Sequence, residues 1–238
     1  MADPRLEAEI AALPHPVVYA TLGGDRLHGL AGADSDHDVR ACHVLPARDV
    51  AGLREPPDAI AYTAHHDGLD LELVSHELKR VCLMLLKKNG GVLEQIHSPL
   101  VVRTTPAHEE LKAISWKCLS RNMGHHYLSH ARMLWSLHEE RPRVRSLLRA
   151  CRVLLTGAHL MRTGEIETSL PRLAGSELRD LIARVDGPLA AGEHEAEHAR
   201  LRDALEEAMR TSPLPPAPPE TARDALDDLL VRLRMGEA

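Results

Sequence analysis

The sequence predicts an α+β protein, with a mixed sheet and helices up to about residue 103 and an all-helical region after it. Two observations predict this division. In the first part, short β-rich runs end at glycine or proline, and residues 69–73 alternate leucine with acidic residues. From Thr105 onward, apolar residues recur at helical spacing and proline interrupts the pattern. We therefore expect two domains, over residues 1–103 and 104–238.

The elements of the first part follow from local patterns. An amphipathic helix is predicted before two prolines, and Ser75 and Glu77 have the residue types of a helix N-cap and first turn. Asn89-Gly90-Gly91 is expected to end that helix. The predicted helices cover residues 4–13 and 75–88, and the predicted strands cover 17–22, 39–45, 59–63 and 69–74.

The second part is predicted to contain only helices and their connections. Pro106 begins a long helical stretch towards Glu140, and Gly164 ends the next helix. A proline-rich run near residues 213–219 is predicted to be a stiff connector. The remaining helices are expected at 143–163, 175–185, 191–211 and 221–235.

Composition limits the possible classes of function. The chain has 238 residues and a formal net charge of −6, which argues against a general nucleic-acid coating protein but not against a local basic patch. Its four cysteines form no CxxC pair and are expected to be free thiols in a reducing cytoplasm. Neither a signal peptide nor a membrane span is expected, so we predict a cytoplasmic protein.

The most informative motif lies between residues 22 and 46. Asp36 and Asp38 are two residues apart at the start of an apolar run, so an extended chain aims both carboxylates to one side, as Mg²⁺ ligands would be. Gly23 and Gly24 allow the backbone to approach a phosphate. A third carboxylate would come from Asp70 or Glu72, and two Mg²⁺ ions would then serve in-line nucleotidyl transfer. The alternative for Asp36 and Asp38 is a solvated turn, and the alternative for Asp70 and Glu72 is an edge strand with one solvent-exposed face.

These residues resemble a known family. The stretch from Val17 to Pro46, with Gly-x-Arg-Leu-x-Gly-Leu followed by Ser-Asp-x-Asp-Val-Arg, is similar to the DNA polymerase beta-like nucleotidyltransferase superfamily, in its RNA-repair-associated branch. Further matches lie at residues 75–78, 92–99 and 148–164.

The resemblance implies a palm-like catalytic domain that uses two Mg²⁺ ions and a nucleoside triphosphate, with a helical domain that binds substrate. It assigns metal-binding and catalytic roles to Asp36 and Asp38. The third carboxylate maps onto Asp70 first and Glu72 second. Gly24 matches the glycine that grips the triphosphate.

One departure from the family pattern concerns the phosphate. Asp25 stands where the family has serine, and an ionised carboxylate cannot donate to a phosphate oxygen. Backbone N–H groups and Arg26 could still hold the phosphate, or Asp25 could turn away. Arg40 is a further candidate phosphate ligand, with a surface ion pair as its alternative. A smaller departure, Gly90-Gly91, is expected to alter only a loop.

The predicted function is Mg²⁺-dependent transfer of a nucleotidyl group from a nucleoside triphosphate to an acceptor hydroxyl, with an RNA end as the acceptor that the resemblance favours. A small molecule or a protein side chain is the alternative acceptor. A protein that binds nucleotide or RNA without catalysis is the alternative class.

Two clusters in the helical region are secondary candidates. His125, His126 and His130 are on one predicted helix, where the i, i+4 pair has a spacing that zinc sites use, although a solvated or RNA-facing helix is the simpler interpretation. A basic cluster is a candidate phosphate or RNA contact, or pairs with the acidic helices near 192–207: Arg141, Arg143, Arg145, Arg149 and Arg152.

Overall fold

A computed structural model describes residues 3–32, 35–53, 55–66, 68–190 and 192–237. The strands are β1 (Val17–Leu22), β2 (His37–His43), β3 (Ala59–His66), β4 (Leu69–Glu77) and β5 (Val101–Arg103). The helices are α1 (Pro4–Ala11), α2 (Gly24–His28), α3 (Ala47–Val50), α4 (Leu78–Leu86), α5 (Gly90–Ile96), α6 (Pro106–Lys117), α7 (Gly124–Glu140), α8 (Val144–Thr163), α9 (Leu170–Leu173), α10 (Ser176–Ile182), α11 (Glu195–Thr211) and α12 (Glu220–Met235), with a 3₁₀ turn at Arg121–Met123.

The strands form one mixed sheet in the order β3-β4-β2-β1-β5. Strands β2 and β4 are parallel, and the other neighbouring pairs are antiparallel. The register of the parallel pair sets Asp38 opposite Glu72 and His43 opposite Glu77. The sequence prediction of a mixed α+β sheet followed by a helical region is confirmed.

The two faces of β2 and β4 differ because successive side chains point to opposite sides of a strand. The odd-numbered residues of β4 from Leu69 to Glu77 are buried, and the even-numbered ones are exposed or half-buried. Helix α1 covers the apolar face through Leu6 and Ile10, which join Val39, Leu71 and Leu73 in one core cluster. Asp38, Arg40, Asp70 and Glu72 therefore share the other face.

Packing divides the chain into two compact units. The sheet unit contains residues 1–27, 32–118 and 218–238, and the helical unit contains residues 28–31 and 119–217. The predicted boundary at residue 103 follows the change in secondary structure, whereas packing groups α6 and α12 with the sheet. Helix α12 joins this unit by packing against α4 and α6.

Helix α8 is the central element of the helical unit, where it packs against α7, α9, α10 and α11. Gly157 lets α7 approach closely, since a Cβ at this position would lie 2.8 Å from the Cβ of Tyr127. The predicted end of α8 at Gly164 is confirmed, and Gly164 takes a left-handed conformation with φ 72°.

The predicted start of the helix that follows β4 is wrong. Ser75 does not cap a helix: it lies inside β4, fully buried, and its Oγ is 2.8 Å from His43 Nδ1. The N-cap of α4 is Glu77, whose carboxylate accepts from the Lys79 N–H. Helix α4 ends at Leu86, just before Asn89, as predicted, but Gly90-Gly91 do not form a loop: the Asn89 side chain accepts from the Val92 N–H, and Gly90 begins α5.

Local signals also missed some breaks and short elements. The helix predicted from residue 105 to 140 is two helices, α6 and α7, separated by Cys118–Ser120 and the 3₁₀ turn. Helix α2 follows Gly23 where only a turn and loop were predicted, and β5 was not predicted. Within the described ranges, none of the helices has both the length and the apolar character needed to cross a membrane.

Candidate active site

The candidate site begins where β2 and β4 begin. Asp38 is the second residue of β2 and lies directly opposite Glu72 of β4 in the parallel register. Asp36 comes just before β2 and is exposed. Two adjacent strands therefore bring three acidic residues to one edge of the polar face.

Gly24 fits closely against Asp38. Gly24 has φ 57°, a conformation that favours glycine, and a Cβ built there would lie 2.8 Å from Asp38 Oδ2. The N–H of Gly23 donates to the main-chain oxygen of Asp38 at 2.7 Å. The glycine pair thus holds α2 against the Asp38 carboxylate, which no other residue type at position 24 would allow without displacement.

Arg40 connects the two facing carboxylates. Its Nη2 atom lies 2.7 Å from Asp38 Oδ1 and 3.0 Å from Glu72 Oε1. The contact with Glu72 is a hydrogen bond, whereas the approach to Asp38 Oδ1 lacks hydrogen-bond geometry. Asp38 Oδ1 is therefore a buried carboxylate oxygen without a hydrogen-bond partner among the described residues.

The electrostatics of Asp38 reflect this environment. Burial raises the pKa of the Asp38 carboxyl above its ordinary value, and the charge and hydrogen-bonding capacity of Arg40 offset part of the rise. The charges of Glu72 and Asp36 raise this pKa further. Glu72 and Asp36 thus both disfavour the charged form of Asp38, and Arg40 offsets burial and these charges only in part.

Asp70 has different partners. Its Oδ1 atom lies 2.7 Å from His65 Nδ1 on the neighbouring strand β3, and its side chain is 66% exposed. Only its main-chain oxygen approaches β2, at 3.3 Å from His37 Nδ1. The two candidates for a third carboxylate therefore differ in their contacts. Glu72 is linked to Asp38 through Arg40, whereas Asp70 pairs with His65.

The predicted phosphate ligands in α2 have other contacts. Arg26 donates from Nε to the main-chain oxygen of Asp36 at 2.9 Å and from Nη2 to that of Ser35 at 2.5 Å. It thereby fixes the segment that leads into β2. Asp25 lies half-buried in the first turn of α2, where an acidic side chain is favoured by the helix dipole.

The donor set suits a hard cation. Asp36, Asp38 and Glu72 offer only carboxylate oxygens, which Mg²⁺ prefers, and Asp38 Oδ1, apart from its ion pair with Arg40, receives no hydrogen bond from the described residues. In the side-chain arrangement of the described residues, no three His, Cys, Asp or Glu groups are close enough together to form a ready-made metal cluster. The residue types therefore fit Mg²⁺, while Arg40 stands between two of the three carboxylates.

The histidine and arginine clusters lie in the helical unit. His126 and His130 have ring centroids 6.0 Å apart, and the described residues around them add no third ligand for zinc. The predicted basic cluster is only partly exposed. Arg152 is only 4% exposed, and Arg145 donates to the main-chain oxygen of Leu30 and to the carboxylate of Asp186.

The sequence offered an ion pair as the alternative role of Arg40, but not its two partners, Asp38 and Glu72. The i, i+2 spacing from Asp38 to Arg40 within one strand was a signal for a shared face. The contact with Glu72 depends on the pairing register of β2 and β4, which no local pattern contains.

Comparison with known proteins gives relatives for nearly the whole chain. The model of the RNA repair pathway DNA polymerase beta family, RlaP, matches residues 2–232. The uncharacterized protein MJ0002 of Methanocaldococcus jannaschii is 25% identical over 155 residues, which cover 63% of this chain and 63% of that protein. A nucleotidyltransferase-like protein from Exiguobacterium sibiricum has a solved structure that covers 100% of this chain, with 79% of its own length matched, 14% identity and a TM-score of 0.35. The resemblance seen in the sequence is confirmed by the family match, and the chain belongs to the RNA repair pathway DNA polymerase beta family.

Proposed function

We propose that this protein is a Mg²⁺-dependent nucleotidyltransferase that moves a nucleotidyl group from a nucleoside triphosphate to an acceptor hydroxyl, with an RNA end as the acceptor. Family membership supports the reaction class, and the family's description supports RNA as the acceptor. The observation that carries the proposal is the facing pair Asp38–Glu72, with Asp36 beside it and Gly24 packed against the Asp38 carboxylate.

Asp36, Asp38 and Glu72 are the residues that would hold Mg²⁺. When bound, divalent ions of this kind lower the pKa of an attacking oxygen and stabilise the leaving phosphate. The register that sets Asp38 opposite Glu72 and the contact of both with Arg40 favour Glu72 over Asp70 as the third carboxylate. Asp70 belongs, in this proposal, to the surface pair with His65.

The chain's own groups would position the triphosphate. Gly23 and Gly24 carry no Cβ, so the backbone of this turn can approach phosphate oxygens, and Arg40 supplies the positive charge nearest to the carboxylates. In the reaction, the acceptor oxygen forms a bond to the α-phosphorus and the bond from that phosphorus to the pyrophosphate oxygen breaks. The hydroxyl proton passes to solvent, and pyrophosphate leaves.

The test uses each α-labelled nucleoside triphosphate in turn, with Mg²⁺ and a mixture of RNAs, and measures label transfer to RNA. Glu72→Gln and Asp70→Asn form a matched pair, since each removes one carboxylate charge from the same face of β4. We expect Glu72→Gln to lower the rate by about 100-fold or more, because even residues that only support a metal ligand contribute 10- to 100-fold. Asp70→Asn is expected to stay within about twofold, as is usual for an exposed position.

Asp38→Asn is the negative control for the site. Transfer that survives in Asp38→Asn would show that the chemistry takes place elsewhere. Equal losses in Glu72→Gln and Asp70→Asn would remove the preference for Glu72.

A protein that binds nucleotide without transferring it is the second candidate, and Asp25 is the observation that favours it. An ionised carboxylate in the first turn of α2 repels a phosphate that a serine hydroxyl would bind. If Asp25→Ser gains transfer activity while the unchanged chain only binds nucleotide, this second function is correct.

A further inference from the structure

Arg40 lies in the position that a metal ion between Asp38 and Glu72 would require. One nitrogen, Nη2, is within 3.0 Å of an oxygen of each carboxylate. Mg²⁺ held by Asp38 and Glu72 would need carboxylate oxygens that Arg40 now contacts, because it binds such oxygens directly, at about 2.0–2.1 Å. A guanidinium and a divalent ion cannot both occupy the space between these two oxygens, because their charges repel.

The contacts of Asp38 and Arg40 show which group is free to move. Asp38 is held against Gly24 on one side, and its main-chain oxygen accepts from Gly23. The ion pairs of the Arg40 side chain within the described residues are those with Asp38 and Glu72, and the side chain is 23% exposed. A long arginine side chain with an exposed part can change rotamer, whereas the Asp38 carboxylate has little space to do so.

We propose that Arg40 is an internal counter-cation that neutralises the carboxylates before metal binds, competes with Mg²⁺ for Asp38 and Glu72, and moves to the triphosphate when metal and nucleotide bind. The inference rests on the proposed function and adds a regulatory step to the same site. Arg40 thereby prevents metal from binding tightly when no nucleotide is present. The triphosphate gives the displaced guanidinium a new anionic partner.

Manganese binding tests the competition directly, because Mn²⁺ replaces Mg²⁺ at oxygen sites and its free concentration can be followed by electron paramagnetic resonance. Arg40→Met is expected to bind Mn²⁺ at least tenfold more tightly than the unchanged chain when no nucleotide is present. Asp38→Asn in the Arg40→Met background should reverse this gain. Thermal unfolding with and without Mn²⁺ gives a second readout, in which Arg40→Met should be stabilised more by the ion.

Arg26→Met is the matched control, since it removes the same charge from the same part of the sheet unit. Arg26 contacts main-chain oxygens of Ser35 and Asp36 and has no recorded contact with the Asp38 or Glu72 carboxylate. It should leave Mn²⁺ affinity unchanged or lower it. If Arg26→Met tightens Mn²⁺ binding as much as Arg40→Met, long-range charge explains the effect and the inference is wrong.

The second half of the inference concerns the nucleotide. With saturating Mn²⁺, Arg40→Met should bind an α,β-methylene nucleoside triphosphate about tenfold more weakly, which is opposite in sign to its effect on the metal. If the role of Arg40 were purely structural, Arg40→Met would weaken the binding of both Mn²⁺ and the nucleotide analogue. Arg40→Gln, which keeps a polar side chain, is expected to show the same two opposite changes and guards against poor folding of the methionine variant.

The outcomes separate this inference from the proposed function. One outcome is that the unchanged chain transfers label and binds Mn²⁺ as tightly as Arg40→Met does. This outcome overturns the proposed competition between Arg40 and the metal but leaves the proposed function standing. Tighter Mn²⁺ binding in Arg40→Met that depends on Asp38, without label transfer in any variant, supports the competition and contradicts the enzyme.

Discussion

The two ends of the parallel strand pair β2–β4 use the same residue types in different ways. At the amino end, Asp38 faces Glu72 and both contact Arg40. At the carboxyl end, His43 faces Glu77, and Glu77 contacts Arg234. Each end of this one ladder thus has a carboxylate with low exposure beside an arginine.

The partners of the two carboxylates differ in number and origin. Glu77 is 3% exposed and accepts from the Lys79 N–H at 2.7 Å and from Arg234 Nη2 at 2.8 Å. Arg234 comes from α12, so this pair ties the last helix to the sheet. Asp38 receives its arginine from its own strand, and among the described residues its Oδ1 finds no hydrogen-bond donor. The carboxyl end stabilises the fold, whereas the amino end retains a charge that the protein compensates only in part.

The largest expected effect on stability is at the carboxyl end. Arg234→Met leaves Glu77 buried without its counter-ion, and breaking a buried pair costs about 3 kcal/mol of unfolding free energy. Urea unfolding measures the loss. Transfer per folded molecule should change little, because Arg234 lies at the end opposite Asp38.

Arg223→Met is the matched control on the same helix. Arg223 pairs with Glu220 at 3.3 Å, but both side chains are more than half exposed, and exposed pairs contribute little to stability. A loss in Arg223→Met as large as that in Arg234→Met would mean that any arginine of α12 matters equally, and the contrast between the ends would fail.

The second prediction concerns pH and His43. This side chain is fully buried, and burial lowers its pKa to about 4, with the neighbouring His15 as a further cause. Because the unfolded chain binds a proton near pH 6.5 and the folded chain does not, the stability contribution is full above pH 6.5 and falls until about pH 4. Over this window one such group changes the free energy of unfolding by about 1.4 kcal/mol per pH unit.

His43→Asn tests this contribution, because its amide can replace Nδ1 in the contact with Ser75. Plots of unfolding free energy against pH should be flatter by about 1.4 kcal/mol per pH unit between pH 6 and 4.5. Ser75→Ala, which removes the contact but keeps the imidazole, should leave the slope unchanged. An unchanged slope in His43→Asn would show that other groups cause the acid sensitivity.

Local patterns predicted those parts of the fold that local interactions decide. Residues 17–22 are a β-rich run before two glycines, and β1 has these bounds. The alternation at residues 69–73 predicted which side of β4 is buried. The continuation of β4 to Glu77 was missed because Ser75 and Glu77 are also good cap residues. Their burial depends on His43 and Arg234, which are distant in sequence.

The candidate site shows the same limit. The spacing of Asp36 and Asp38 was visible in the sequence, and so was the acidic face of β4. The sequence could not decide between Asp70 and Glu72, since this depends on the register between two strands that are far apart in the chain. It also could not show that Arg40 reaches both carboxylates, because long side chains find their partners only in the folded sheet.

The smallest expected effect on stability comes from the amino end, at Gly24. Gly24→Ala introduces a Cβ 2.8 Å from Asp38 Oδ2 at a φ of 57°, and a left-handed backbone costs a non-glycine residue roughly 1–2 kcal/mol. Gly68→Ala is the matched control, since Gly68 has φ 70° but its Cβ would meet only Arg5 Nη1, at 4.0 Å. Gly24→Ala should lose at least as much stability as Gly68→Ala in urea unfolding, and only Gly24→Ala should also lower label transfer, by about tenfold or more, because it displaces the Asp38 carboxylate. Equal transfer rates in the two variants would mean that the close approach of Gly24 to Asp38 serves the fold alone, and the functional difference between the two ends of the strand pair would then rest only on Arg40.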